Sequence, residues 1–194
     1  ASPRGKDTIV VLWSDHGFHL GEKDHIEKFA LWEKANRIPF IISARGITKP
    51  GGRCDRPVDL SALYPTLLEL CGLPATDCDG ESVVPLLRNP DAKWDRPALM
   101  SYGLGNHAVR SDRWRYIRYA DGTEELYDHE SDPNEWTNLA ENTDLAEVIA
   151  VHKKWLPKME ASPVSDLKKK PKPNILLIVS EDNGPELGLS LIHI

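Results

Sequence analysis

Two short apolar runs, Thr8 to Trp13 and Pro39 to Ser43, constrain this chain more than any other feature. Both are rich in β-branched and aliphatic residues and lack the apolar-polar alternation of a half-exposed strand, so each reads as a strand covered on both faces in a parallel α/β sheet. The first run ends abruptly at Ser14-Asp15-His16-Gly17. In such a sheet, polar residues at a strand's carboxyl end face the ligand crevice.

Between and after these runs the pattern changes in a way that divides the chain. Leu60, Leu63, Tyr64, Leu67 and Leu68 recur at helical spacing, with Asp59 as N-cap and Gly72 at the stop, which predicts an α/β crossover helix. Pro65 inside that pattern must either kink the helix or fall in its first turn. Beyond Trp94, four short strand-like segments follow: Ala98 to Tyr102, His107 to Arg110, Trp114 to Tyr119 and Glu124 to Tyr127. The last two are joined through the turn dipeptide Asp121-Gly122, so a small antiparallel sheet is expected. Residues 143–156 place Leu145, Val148, Ile149, His152 and Trp155 on one helical face, which predicts a closing helix over that sheet, stopped by Pro157.

The stretch after Pro157, with its prolines and Lys168-Lys169-Lys170, has the composition of a linker. Asn174 to Ser180 then begins a new buried strand, and it too ends in acidic residues, at Glu181-Asp182-Asn183-Gly184. The expected organisation is an α/β core portion over 1–96, a small antiparallel subdomain over 97–157, a linker over 158–173 and a further strand within 174–194.

Composition narrows the class of function. The 194 residues carry 24 Lys+Arg against 30 Asp+Glu, a net charge of −6, which argues against general affinity for nucleic-acid backbones. No apolar run approaches the roughly 20 residues of a membrane span. Cys54, Cys71 and Cys78 form no C-x-x-C pair, and their odd number leaves at least one thiol unpaired within the chain. The chain starts at Ala1 with no visible secretory leader, so its opening reads as cut.

Asp15, His16, Glu181 and Asp182 set hard oxygen donors and an imidazole at strand ends, which suits Ca²⁺ or Mg²⁺ if the side chains converge. Turn formation accounts equally well for Asp and Gly at such ends. A zinc cluster of His16, His19 and His25 with Asp15 is a further option, although the spacing follows no regular zinc pattern. His25 and Lys28 lie three residues apart; facing the same crevice, they bind a tetrahedral oxyanion beside a metal, whereas on the surface Lys23, Lys28 and Lys34 are solvated charges. Glu33 and Arg37 read as a structural i,i+4 pair. His107, Arg110, Arg113 and Arg115 sit among Trp114, Tyr116 and Tyr119; they either contact an anionic sugar or form the ordinary polar half of an exposed sheet. Trp94, Trp136 and Trp155 are read as packing residues.

The ordered motifs Trp13-Ser14-Asp15-His16-Gly17-Phe18-His19-Leu20-Gly21-Glu22-Lys23, His25-x-x-Lys28-Phe29-Ala30-Leu31-Trp32-Glu33 and Arg37-Ile38-Pro39 resemble the carboxyl half of a type I, formylglycine-dependent sulfatase of the alkaline-phosphatase superfamily. The nearest subgroup is that of bacterial enzymes similar to iduronate-2-sulfatase and choline-sulfatase. Val58 to Gly72 matches the helix that follows in that family, and Arg113 to Ile117, Glu125 to Asp128 and Asp132-Pro133 resemble its C-terminal small sheet. The resemblance runs from residue 7 to about 157. It implies an α/β fold: the C-terminal part of a parallel-sheet core plus a small antiparallel sheet with a packed C-terminal helix.

It further implies Asp15 and His16 as calcium ligands and Lys28 as the cation on the sulfate and its leaving oxygen, with His25 in contact with substrate; His107, from the cluster read above, is assigned to substrate as well. Ca²⁺ is implied ahead of Mg²⁺, the ligand is a sulfated small molecule or carbohydrate, and family members are commonly periplasmic or secreted. The family's nucleophile, a Cys or Ser in C/S-x-P-x-R that matures to formylglycine, has no counterpart here: Cys54-Asp55-Arg56-Pro57 and Cys71-Gly72-Leu73-Pro74 place proline one residue late and lack the arginine. A chain with cations and metal but no attacking group is expected to bind and scarcely react. A phosphodiesterase or phosphonate hydrolase of the same superfamily, or a non-catalytic anion- or sugar-binding module, are the other readings.

Lys172 to Gly188 resembles the amino-terminal strand of a second sulfatase, with Asp182 and Glu181 at its first metal-ligand positions. The linker is long enough for that strand to dock beside Thr8 to Trp13 as in a circular permutant, at up to about 3.5 Å per residue.

Overall fold

The computed structural model describes residues 7–160. The expected strand and ligand pair at 174–182 therefore lie outside the described residues.

Strands β1 (Val10–Trp13) and β2 (Phe40–Ser43) form a two-stranded sheet, preceded at β2 by the one-turn helix α1 (Glu33–Asn36). The mixed α/β class holds, but these two strands pair antiparallel, with Val10 opposite Ser43 and Trp13 opposite Phe40. A parallel pair needs a crossover, usually helical; here residues 14–39 fold back as loop with a 3₁₀ turn at Glu22–Asp24 and the one turn of α1, so the chain returns beside β1 in the opposite direction. Expected cover on both faces is also missing among the described residues: Val10, Leu12, Trp13 and Ile41 are exposed.

Ile42, on the face opposite Val10, Leu12 and Ile41, packs against Ala62, Val83 and Leu86, a small core beside helices α2 (Leu63–Leu70) and α3 (Val84–Arg88). Asp59 caps as the sequence predicts, accepting from the Ser61 amide at 3.1 Å, although it starts a 3₁₀ turn that runs on into α2. Pro65 lies in the first turn of α2, where its missing N–H has no helical acceptor to lose. Gly72, at φ 65°, supplies the left-handed stop. Thr66 is fully buried; its hydroxyl donates to the Ala62 carbonyl at 2.6 Å and accepts from the Val83 amide at 3.0 Å, tying α2 to α3.

The second sheet runs β3 (Ala98–Ser101), β4 (His107–Arg110), β5 (Trp114–Arg118) and β6 (Glu124–Asp128) in simple antiparallel order, as expected. Val109 faces Tyr116, and Tyr116 faces Leu126. These three residues meet Ile149 of helix α4 (Ala146–Lys153) and Leu156 beyond it. Their neighbours in sequence, Ala108, Ile117 and Tyr127, point to the opposite face and meet Leu31 and Trp32. The sheet is thus covered on both sides, which is why β4 to β6 are buried in continuous runs rather than alternately. Of the expected helix face, Ile149 and His152 are buried, but Trp155 is 44% exposed and Leu156 fills the core position instead. Trp136, at 62% exposure, is likewise not a packing residue.

Candidate metal and anion site

Asp15 and His16 leave β1 just after Trp13. The Ser14 hydroxyl donates to the His16 carbonyl at 2.8 Å, and the Gly17 amide donates to Ala35 at 2.8 Å, so the turn is pinned against α1. Gly17 is required there: a Cβ would stand 2.1 Å from the Lys34 carbonyl oxygen. His16 Nδ1 lies 2.7 Å from the Gly17 carbonyl, which only accepts, so Nδ1 is the donor there and the neutral ring presents its lone pair at Nε2. Nε2 in turn stands 3.7 Å from Asp15 Oδ2. One carboxylate and one imidazole nitrogen therefore converge, the first geometric requirement of a metal site.

Lys28 lines the same cavity as Asp15 and His16, a space of about 2280 Å³ that runs along β2 to the loops after it. Its segment is held by the His19 amide donating to Glu27 at 3.0 Å and the Ala30 amide donating to Lys28 at 2.8 Å. His25 goes elsewhere. Its ring packs edge-on against His19 at 5.2 Å and Trp32 at 5.8 Å, and it is not among the residues lining the cavity. His107 is 2% exposed, with one ring nitrogen 2.7 Å from the Ser101 hydroxyl and the other 3.0 Å from Glu160. Both nitrogens are in use inside the protein, so His107 has neither exposure nor hydrogen-bonding capacity to offer a ligand. The zinc alternative also fails to assemble among the described residues: the ligand atoms of Asp15, His16, His19 and His25 do not meet, His19 being buried in the aromatic cluster while Asp15 is solvent-facing.

Among the described residues the three metal-ligating groups that do meet are Glu33, His129 and Glu135. They are occupied by cations of the protein. Arg115, 1% exposed, pairs with Glu33 and stands 2.7 Å from Glu135 Oε1, while Arg110 lies 3.4 Å from Glu33. Burial opposes ionisation of Glu33, but Arg115 and Arg110 outweigh it and hold the carboxyl below its ordinary range. Arg115 and Arg110 face the two carboxylates and His129 Nε2 lies 2.9 Å from Glu135 Oε1, so this is an ion-pair network rather than a metal centre. It fastens the Lys28-bearing segment to the sheet: Arg115 also donates to the Leu31 carbonyl at 2.9 Å, Glu135 accepts from the Glu33 amide at 2.8 Å, and Trp32 donates to Glu125 at 2.7 Å. The expected Glu33–Arg37 pair is present but stretched, at 3.9 Å.

Sequence reading treated Arg115 as a residue of a half-exposed sheet and missed this network. The available signal was a lone arginine between Trp114 and Tyr116 in a strand whose two faces both carry apolar residues, since a charge so placed must find buried carboxylates.

Residues 21–162 match the family model described as N-sulphoglucosamine sulphohydrolase, C-terminal. The chain belongs to this family of sulfatases. A sulfatase from Formosa agariphila is 46% identical over 162 residues, covering 83% of this chain and 32% of that protein. The solved structure of a 2-O GAG sulfatase superposes with TM-score 0.65 at 28% identity, over 79% of this chain and 36% of the other. The phosphonate monoester hydrolase of Agrobacterium radiobacter gives TM-score 0.65 at 25% identity, over 77% and 34%. This sulfatase chain thus spans about a third of the length of the relatives it matches. Among the described residues no helix is long and apolar enough to cross a membrane.

Proposed function

We propose that this chain forms the metal- and leaving-group side of a sulfatase site for sulfated carbohydrates, with Asp15 and His16 holding Ca²⁺ and Lys28 binding the sulfate and the oxygen from which it departs. The observation that carries the reading is the 3.7 Å approach of Asp15 Oδ2 to His16 Nε2 on the wall of the cavity that Lys28 also lines. Two donors at that separation fit one ion bound at roughly 2.3–2.6 Å from each, and a carboxylate oxygen suits a hard cation. When bound, such an ion polarises the sulfuryl oxygen as a Lewis acid. Lys28 contributes a compact ammonium that neutralises charge developing on the leaving oxygen. His16 is kept in the ligating tautomer by the Gly17 carbonyl, and Gly17 in turn fixes the turn against α1.

Attack on sulfur is not assigned to this chain. Cys54, Cys71 and Cys78 are exposed thiols outside any C-x-P-x-R context, so the proposal is of binding and leaving-group stabilisation, with negligible turnover by the 194 residues alone. Glu181 and Asp182 complete the proposed ligand set by resemblance. Sugar substrates are supported by the 2-O GAG sulfatase likeness. The phosphonate monoester hydrolase likeness favours a second reading, in which the same groups hold a phosphoryl centre.

Calcium titration by calorimetry tests the metal assignment. Asp15→Asn and His16→Gln should each weaken Ca²⁺ binding at least about tenfold, a loss that even outer-shell partners of a metal produce. Unchanged affinity in both variants sinks it. Competition between an aryl sulfate and a phenylphosphonate for the calcium-loaded chain then separates the two readings.

A further inference from the structure

The two groups that occupy His107 differ in kind. Ser101 Oγ lies 2.7 Å from His107 Nδ1, and Glu160 Oε1 lies 3.0 Å from Nε2. The second Glu160 oxygen accepts from the Gly105 amide at 2.8 Å. That amide, and after it His107, hold the Glu160 carboxyl below its ordinary range, so it is a carboxylate that only accepts. Nε2 therefore donates to Glu160, and the neutral ring turns the lone pair of Nδ1 to the Ser101 hydroxyl. His107 is 2% exposed, whereas Ser101 is exposed on β3, the edge strand of its sheet. A reachable hydroxyl, a base within hydrogen-bond distance and a carboxylate behind that base are the three parts of an activated nucleophile.

Strand register adds a fourth part. The Tyr102 amide donates to the Asn106 carbonyl at 3.0 Å, so the next pair along, Ser101 and His107, is a non-hydrogen-bonded one. In such a pair the side chains approach most closely and the backbone amides point away from the partner strand. The Leu99 amide, two residues earlier on β3, shows that direction by donating out of the sheet to Asp59 at 3.1 Å. The Ser101 amide shares it and has no partner among the described residues, which leaves a donor for negative charge on the nucleophile's own residue. Ser111 and His152 make a contrasting pair. Their Oγ and Nε2 atoms are 2.9 Å apart, but the other ring nitrogen meets only the Val148 carbonyl, and Ser111 Oγ is tied to the Trp114 backbone.

We propose that Ser101, His107 and Glu160 form an acyl-transfer site that hydrolyses carboxylic esters, with Ser101 as nucleophile, His107 as base and Glu160 as the positioning residue. The site uses none of the groups around Lys28, so it goes beyond the proposed function and stands independently of it. Ser101 Oγ adds to the ester carbonyl carbon while its proton passes to His107 Nδ1, and the Ser101 amide faces the resulting oxyanion. The bond from that carbon to the alcohol oxygen breaks, and Nδ1 returns the proton to this oxygen, leaving acyl-Ser101 and a free alcohol. Water then adds to the acyl carbon, giving its proton to Nδ1. The bond from carbon to Oγ breaks and Oγ takes the proton back, so ester and water have become acid and alcohol.

The test treats the full 194-residue chain with a fluorophosphonate and, separately, with p-nitrophenyl acetate. The fluorophosphonate adduct, located by peptide mass spectrometry, should sit on Ser101, be absent from Ser101→Ala and vanish when urea unfolds the chain. No adduct, an adduct on Ser111 instead, or equal labelling of the unfolded chain overturns the site. Turnover of p-nitrophenyl acetate should fall about a hundredfold or more in Ser101→Ala, the scale of a lost nucleophile and its base. Glu160→Gln should lower kcat at least about tenfold and leave KM unchanged, since a positioning residue acts on the base and not on the ester. An unchanged kcat in either variant, or a wild-type adduct without turnover, overturns the hydrolytic assignment. If Glu160→Gln fails to fold, the adduct and turnover of the wild type and Ser101→Ala decide.

Discussion

The more apolar of the two sheets in this chain is the less covered. In β4 to β6, apolar side chains on both faces are covered from within, by α4 on one side and by Leu31 and Trp32 on the other. In β1 and β2, where seven of eight residues are apolar against seven of fourteen in β4 to β6, Val10, Leu12, Trp13 and Ile41 are nonetheless exposed. The difference teaches that an unbroken apolar run records a demand for cover but does not say what supplies it. It also locates the stability of the described chain in the second sheet, and the ligand-facing groups at the edge of the first.

The strongest way to break that comparison is at the joint between the two regions. Arg115→Met strands Glu33 and Glu135 as buried carboxylates, and removing one partner of such a network costs about 3–5 kcal/mol. Chemical denaturation should show that loss, and a change below about 1 kcal/mol would mean the network does not hold the Lys28 segment. A matched pair of truncations sharpens the contrast next. Leu126→Ala, in the covered sheet, should cost about 2–5 kcal/mol, while Leu12→Ala, in the exposed one, should stay within about 0.5 kcal/mol. Comparable losses would show that β1 is covered in solution.

The smallest effect is electrostatic and confined to the covered sheet. Arg113 grips Asp128 through two hydrogen bonds, at 2.8 and 2.7 Å, and pulls its pKa down to about 2. Because the folded state favours the ionised carboxylate, this contribution is present above the ordinary carboxylate range near 3.9 and is lost as pH falls toward about 2. Arg113 is 47% exposed, so Asp128→Asn should lower stability by less than about 1 kcal/mol at neutral pH, and the gap should close in acid. A gap independent of pH would exclude this pairing as its source.

Local chemistry made much of this architecture legible in the sequence. The Asp59 cap, the Gly72 stop, the Asp121-Gly122 turn and the helix bearing Ile149 are all decided within a few residues, and they appear where patterning puts them. Strand direction was not legible, since it depends on how residues 14–39 return, and neither composition nor period encodes that path. At the site, Asp15 and His16 converge because one turn sets both, whereas His25 packs into an aromatic cluster with His19 and Trp32 and His107 follows Glu160, 53 residues away. Arg115 escaped notice because its partners are separated from it in sequence by up to 84 residues.

The exposure of all three thiols carries a practical consequence. Cys54 stands on the wall of the cavity, beside the loop that contributes Lys49, whereas Cys71 terminates α2 and Cys78 lies in the loop between α2 and α3. With Cys71 and Cys78 replaced by serine, Cys54 becomes a unique attachment point for an environment-sensitive dye, and the chain gains an optical reporter of occupancy without sacrificing a single wall cation.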